Sequence, residues 1–431
     1  MLRICVYGMQ HQGPVTAACL AELGICTVGV DDDRTVIEQL AAGAAPMFEP
    51  GLDGLIRTGL DSGLLSFTSN LAAEVEGAQL LWIAFDTPVD DDDHADIDYV
   101  KSRIRNCFPY LQPGVTVLIT AQLPIGSTRE LALEFAERTP AYRVHFACAP
   151  ENLRLGKAVE AFRCADRIVV GTRSSEARQV LEPVLSRLTD NLLWVSPESA
   201  EMAKHATNAF LATSVTLVNE IAALCERSGA DAFEVEAALR ADPRIGKSAY
   251  VRPGAAFAGG TLARDIIYLR QLATAHGPAV PLLASILSSN RQHRTWPLHQ
   301  LDVRLGEVAG KTIAILGLSY KPGTDSLRRS VAIELCEELA KRGATVRAFD
   351  PKVRSLPADL DHVQIAASGL DAARGAHALV VATEWPEFLE LTARDIAAQM
   401  TGRLVLDPGR FLERVFRGEP GIDYVSIGRP A

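Results

Sequence analysis

Hydrophobic and polar positions fall into two textures along this chain. The first opens with a compact apolar run, RICVYG, turns through GMQHQG and enters PVTAACLAELG, a pattern that predicts a helix ended by glycine. CTVGVDDD follows as a second short apolar run ending in acids, and QLLWIAFDTP, VTVLIT and RIVVG repeat the form with helical patterns between them. Strands that alternate with helices predict a parallel sheet in an α/β layer fold.

The second texture begins near Ser196. Ser196 suits a helix N-cap, Pro197 its first turn and Glu198 the positive end of its dipole. From there the pattern predicts one helix of about nine turns, ending before Gly229. A further helical stretch is expected over roughly 265–307, broken around HGPAVP. The opening pattern then recurs: KTIAILGLSYKPGTD reads as strand, glycine turn and loop, and ATVRAFDP, ALVVATEWPEF and RLVLDPGR supply more strands. The expectation is two α/β domains, 1–195 and 308–431, flanking a helical middle at 196–307 that serves as a spine and oligomer interface.

Composition narrows the class. A chain of 431 residues is too long for one ordinary core, and its 48% apolar and 22% charged residues are those of a globular protein. No run of some eighteen apolar residues predicts a membrane span, and MLRICVYG lacks the flank and core of a signal peptide. A net charge of −10 argues against a general nucleic-acid surface while leaving local basic anion pockets open. The eight cysteines form no CxxC pair and sit mostly in apolar contexts, which predicts small core residues in a reducing, cytoplasmic setting and no metal site.

Candidate chemistry starts at GMQHQG. A dinucleotide turn uses G-x-G-x-x-G so that the backbone can turn tightly, approach a diphosphate and pack on the sheet. Gly8 and Gly13 keep the first and third roles, and Gln10 stands in the middle one. Asp31 ends the next strand, where an acid accepts ribose hydroxyls and favours NAD over NADP; a plain βαβ turn without ligand is the alternative. The run DTPVDDDDHAD, 86–96, lacks the spacing of a calcium loop and reads as solvated charge. Lys204 and Asn208, four apart on the expected helix, share a face and can stabilise a developing alkoxide, or stand as an exposed pair. Lys321, Arg328 and Arg329 cluster at a glycine turn that suits a phosphate, or simply solubility.

Taken together, ACLAELG, FEPGL, LPIGST, APENLRLGKAVEAF, AEMAKHATNAFLAT, DPRIG, RPGAAFAGGTLARD, LGLSYKPGTDSLRRS and TEW resemble the UDP-glucose/GDP-mannose dehydrogenase family over nearly the whole chain. The resemblance implies two Rossmann-like doubly wound domains, the first for NAD and the last for a nucleotide sugar, most readily a UDP-sugar, joined by a dimerising helical middle. It implies oxidation of a sugar alcohol to a carboxylate by two hydride transfers, through a thioester on a cysteine. By the same resemblance Lys204 and Asn208 stabilise the oxyanion, Asp265 positions water and Glu151 serves thioester hydrolysis. Gly8, Gln10, His11, Gly13, Asp31, Thr87, Gln122 and Arg328 are implied for the cofactor. Glu151, Lys204, Asn208, Arg244, Phe257, Gly259 and Lys321 are implied for the substrate.

The departures bear on chemistry. Laid without gaps, the family's cysteine falls on Thr261; a gapped alignment puts Leu262 there instead, and neither is a thiol. A threonine hydroxyl has no thiolate-like fraction near neutral pH, so any activation falls to a nearby base. Gln122 replaces a threonine, Leu155 a glutamate, Asp86 the glycine of GTP, and Arg264 the lysine beside Asp265. The expectation is an NAD-dependent nucleotide-sugar oxidoreductase that stops after one two-electron step or forms acid slowly through a hydrated aldehyde. A non-catalytic nucleotide-sugar-binding protein of the same fold is the alternative.

Overall fold

In the computed structural model, short β-branched and leucine-rich segments form two sheets, each with the doubly wound order 3-2-1-4-5-6 at its centre. The residues described are 2–90, 95–151, 153, 156–258 and 260–430, with Asp359 by its backbone alone. By packing, the chain divides between Thr207 and Asn208.

The first unit holds β1 (Arg3–Tyr7), β2 (Cys26–Val30), β3 (Leu65–Thr68), β4 (Leu80–Ile83), β5 (Thr116–Ile119), β6 (His145–Cys148), β7 (Ile168–Thr172) and β8 (Leu192–Val195). Their order is β3-β2-β1-β4-β5-β6-β7-β8. All neighbours are parallel except β6 and β7, which pair antiparallel with Cys148 opposite Gly171. The expected parallel sheet therefore gains a reversed two-stranded edge. Both faces of β1 are buried, Ile4 and Val6 in one core and Cys5 and Tyr7 in the other, as a strand covered on both sides requires.

The second unit holds β9 (Thr312–Leu316), β10 (Thr345–Phe349), β11 (Val363–Ile365), β12 (Ala378–Val381), β13 (Leu404–Leu406) and β14 (Asp423–Val425), in the order β11-β10-β9-β12-β13-β14 and parallel throughout. Ahead of β9 it holds the helices Ala232–Ala241, Thr261–His276, Pro281–Arg294 and Trp296–Leu305, so the expected break at HGPAVP is present and the helix before it starts four residues earlier than the pattern suggested. Ala209, Ala212 and Val215 make a core there with Phe257, Ile266, Leu269 and Ile286.

The expected nine-turn helix runs over Pro197–Ser228. The backbone N–H of Ser199 donates to Ser196 Oγ at 3.2 Å, so the serine caps it as its sequence position implies. By length and composition this spine helix could cross a membrane, yet 56% of its most apolar window is buried inside the protein.

Candidate active site

In an open α/β sheet, ligands bind beyond the carboxyl ends of the strands where the order reverses. In the first sheet that place lies between β1 and β4. The chain leaves β1 through Gly8, whose φ of 102° is open to glycine; an added Cβ would sit 2.9 Å from the Phe85 ring. A Cβ at Gly13 would fall 1.8 Å from the Gly8 carbonyl oxygen, so the turn and the start of the Gln12–Glu22 helix close on each other only with glycine there. Asp31, just past β2, accepts the Met9 N–H at 2.6 Å and the Asp33 N–H at 3.0 Å, which ties the acid to the turn. Gln10 is exposed, and its side chain bonds Tyr99.

Two further acids complete this turn, and sequence reasoning missed what they hold. His11 donates its backbone N–H to Asp86 Oδ2 at 3.0 Å, and Gln12 Nε2 donates to Asp86 Oδ1 at 3.0 Å. Glu49, buried, accepts the N–H groups of Gly156 at 2.8 Å and Ala158 at 2.7 Å, and lies 3.3 Å from His11 Nε2. The FEPGL motif flagged this glutamate without revealing its partners.

The loops after β4 and β5 are joined by Thr87 Oγ1, which donates to the Gln122 carbonyl at 3.0 Å. Gln122 Nε2 lies 3.3 Å from His205 Nδ1, and the other ring nitrogen of His205 lies 3.2 Å from the Leu123 carbonyl oxygen. One turn earlier on the spine helix, Glu201 accepts the N–H of Gly126 at 2.5 Å and of Thr128 at 2.9 Å. These bonds orient the first turns of the helix, and with them Lys204. Desolvation pushes the Glu151 carboxyl up from its ordinary value; the nearby Lys204 ammonium and the Leu153 N–H oppose that rise. Glu151 and Lys204 are thus brought within electrostatic reach of each other.

In the second unit, Asn208 donates its side-chain amide to the fully buried carboxylate of Asp265, and Arg264 Nε lies 3.7 Å from the other oxygen. Thr261 is the first residue of the Thr261–His276 helix and is exposed, whereas Leu262 packs against the helical core. Gly259 and Leu155 lie outside the described residues, as do Asp91, Asp92, Asp93 and His94 of the acid run.

The backbone leading to Thr261 is held by residues the sequence did not single out. Asn219 Oδ1 accepts the Gly254 N–H at 3.0 Å, and His293 Nε2 lies 2.8 Å from the Gly254 carbonyl oxygen. Asn290 accepts the Phe257 N–H at 3.0 Å and donates to its carbonyl at 2.8 Å, while the Phe257 ring is core. Arg244 stands apart: its side chain is 88% exposed and pairs with Asp242 at 2.6 Å. Arg329, with a positive φ of 60°, reaches toward Gly260, its Nη1 lying 3.6 Å from where a Cβ would be. Lys321 and exposed Arg328 share its loop, between β9 and the Val331–Lys341 helix.

Comparison with known proteins follows the same layout. Three family models match: the UDP-glucose/GDP-mannose dehydrogenase family NAD binding domain over residues 2–189, its central domain over 198–292 and its UDP binding domain over 314–414. UDP-glucose 6-dehydrogenase of Rhizobium meliloti is 35% identical, with all of both chains covered. That of Pseudomonas aeruginosa is 33% identical over all of this chain and 98% of its own. Among solved structures, a UDP-glucose dehydrogenase from Pyrobaculum islandicum superposes with a TM-score of 0.88 at 29% identity, covering 100% of this chain and 98% of that one. With its two doubly wound sheets, its glycine turn and its matched segments in order, this chain belongs to the UDP-glucose/GDP-mannose dehydrogenase family of NAD-dependent nucleotide-sugar dehydrogenases.

Proposed function

We propose that this dehydrogenase oxidises the primary alcohol of a UDP-sugar, with UDP-glucose the first substrate to try, and that its fast chemistry ends at the aldehyde. The observation that carries this reading is Thr261: an exposed threonine at the first turn of a helix, four residues before Asp265, where the family resemblance implies a thiol. The unit that contains it has two cysteines, Cys225 and Cys336, both buried, and burial pushes the Cys336 thiol up to about 12. Neither offers an accessible thiolate.

The glycine turn and Asp31 fit a dinucleotide: a Cβ at Gly8 or Gly13 would fill the space the turn needs, and the acid after β2 suits a ribose. NAD, when bound, supplies the hydride acceptor. For the chain's own part, Lys204 and Asn208 stabilise the alkoxide, and Asp265 holds the Asn208 amide in place for it. Removal of one hydride and one proton gives the aldehyde. Without a thiohemiacetal, a second hydride transfer requires the aldehyde to hydrate first, and Glu151, whose carboxyl is raised by burial, takes a proton from that water.

The reading includes a cytoplasmic homodimer. All eight cysteines are unpaired, which suits a reducing compartment. Phe210, Leu217 and Leu224 are exposed at seven-residue spacing along the spine helix, and a second copy of the same stripe is the self-complementary partner a twofold dimer needs. The test of the functional reading is NADH formation across UDP-, GDP-, CDP- and TDP-sugars. Turnover confined to UDP-sugars supports it, and turnover only with another base overturns the substrate assignment.

A further inference from the structure

The carboxylate of Asp86 occupies donors at the entry of the Gln12–Glu22 helix. Its two oxygens take the His11 backbone N–H and the Gln12 amide, both at 3.0 Å. Asp86 comes from the loop after β4, the strand next to β1 at the point where the sheet order reverses. That is the position from which a side chain meets whatever lies over the glycine turn. A helix N-terminus in this fold serves as the diphosphate seat, through backbone N–H groups and the positive end of the dipole. Here an anion of the chain's own is already in it.

The arrangement is built rather than incidental. Gln12 is only 7% exposed and is committed through its Nε2 to Asp86, while its buried Oε1 has no partner among the described residues. Leaving a buried amide oxygen unbonded costs free energy, so the Gln12 side chain is held where it is at a cost. His11 is anchored on its other side by the buried Glu49. The charge is felt beyond the turn as well: after desolvation, Asp86 is among the groups that push the Glu151 carboxyl up.

We propose that Asp86 is a built-in competitor for the cofactor diphosphate, so that NAD seats on the 8–13 turn only by displacing this carboxylate from His11 and Gln12. A diphosphate and a carboxylate repel each other and compete for the same donors. Cofactor affinity is therefore set by how readily Asp86 leaves, and the adenosine end of the cofactor, which does not use those donors, is indifferent to it.

The experiment is titration calorimetry of wild type, Asp86→Asn and Asp86→Gly with NAD and, separately, with adenosine, after thermal melts confirm folding. NAD should bind at least about fivefold more tightly to Asp86→Gly, and by a smaller factor to Asp86→Asn, with adenosine unchanged. An NAD affinity that is unchanged or weaker in both variants overturns the proposal. So does equal tightening for adenosine, or no NAD binding in any of the three proteins. Should both variants fail to fold, wild type decides: ADP binding no tighter than adenosine supports the competitor, and ADP binding much tighter overturns it.

Discussion

Asn208 donates its side-chain amide to Asp265, and Asp265 is completely buried. Burying a carboxylate is costly unless it is hydrogen-bonded and paired; Asn208 donates to one oxygen of Asp265 and Arg264 Nε lies 3.7 Å from the other. Asp265→Ala should therefore destabilise the protein by about 3 kcal/mol, because it removes a buried carboxylate together with the acceptor of the Asn208 amide. Asn208→Ala should cost less, and the double variant less than the sum, as expected for residues in direct contact. Urea unfolding of the four proteins measures this, and strict additivity would contradict the coupling.

Thr261→Cys should increase acid formation from the nucleotide sugar, since a cysteine at the first turn of a helix is exposed and its thiolate is favoured by the dipole. Leu262→Cys should not, because Leu262 faces the helical core and its replacement loses packing instead. Product analysis by mass distinguishes them. Acid formation restored by Leu262→Cys alone would move the nucleophile position by one residue.

A pH prediction rests on Asp350. Burial acts to raise its carboxyl, but the N–H groups of Ser319 and Leu318, with Lys352 N–H and the Ser319 hydroxyl, outweigh it and hold the group below its ordinary value. A lowered folded-state value means that this aspartate contributes stability above its unfolded titration, and that the contribution is lost as pH falls through the lower folded value. Asp350→Asn should thus melt well below wild type at pH 7, with the difference shrinking as pH falls below about 4. A constant gap between the melting curves from pH 7 to pH 3 would contradict this.

The stripe of Phe210, Leu217 and Leu224 gives an assembly prediction. Leu217→Glu places a charge in the middle of the apolar line while leaving a side chain that is 54% exposed in the single chain. It should convert a dimer to a monomer by light scattering without lowering the melting temperature of the monomer by more than a few degrees. A dimer that persists in this variant would place the interface elsewhere.

Much of this was legible because it is local. Ser196, Pro197 and Glu198 announced the spine helix, and RICVYG followed by a glycine turn announced β1 and its helix, since capping and hydrophobic period act within a few residues. The reversed β7 was not legible, because strand direction is decided by where the crossover lands. The same holds for the turn chemistry. Asp86 looked like one end of a solvated acid run, yet it bonds His11 and Gln12, some 75 residues away. Asn219, Asn290 and His293 read as polar positions on helices, and only folding turns them onto the backbone at Gly254 and Phe257. Arg244, for which the resemblance implies a substrate contact, pairs in the single chain with Asp242, two residues away.

The central claim is that the fast reaction is a single hydride transfer, and counting NADH against product in a single-turnover experiment tests it most directly. With enzyme in excess over UDP-glucose, one equivalent of NADH should form in the fast phase with the product trapped as an aldehyde, any second equivalent following much more slowly. Two equivalents in one fast phase, with the carboxylate as the product, would contradict it.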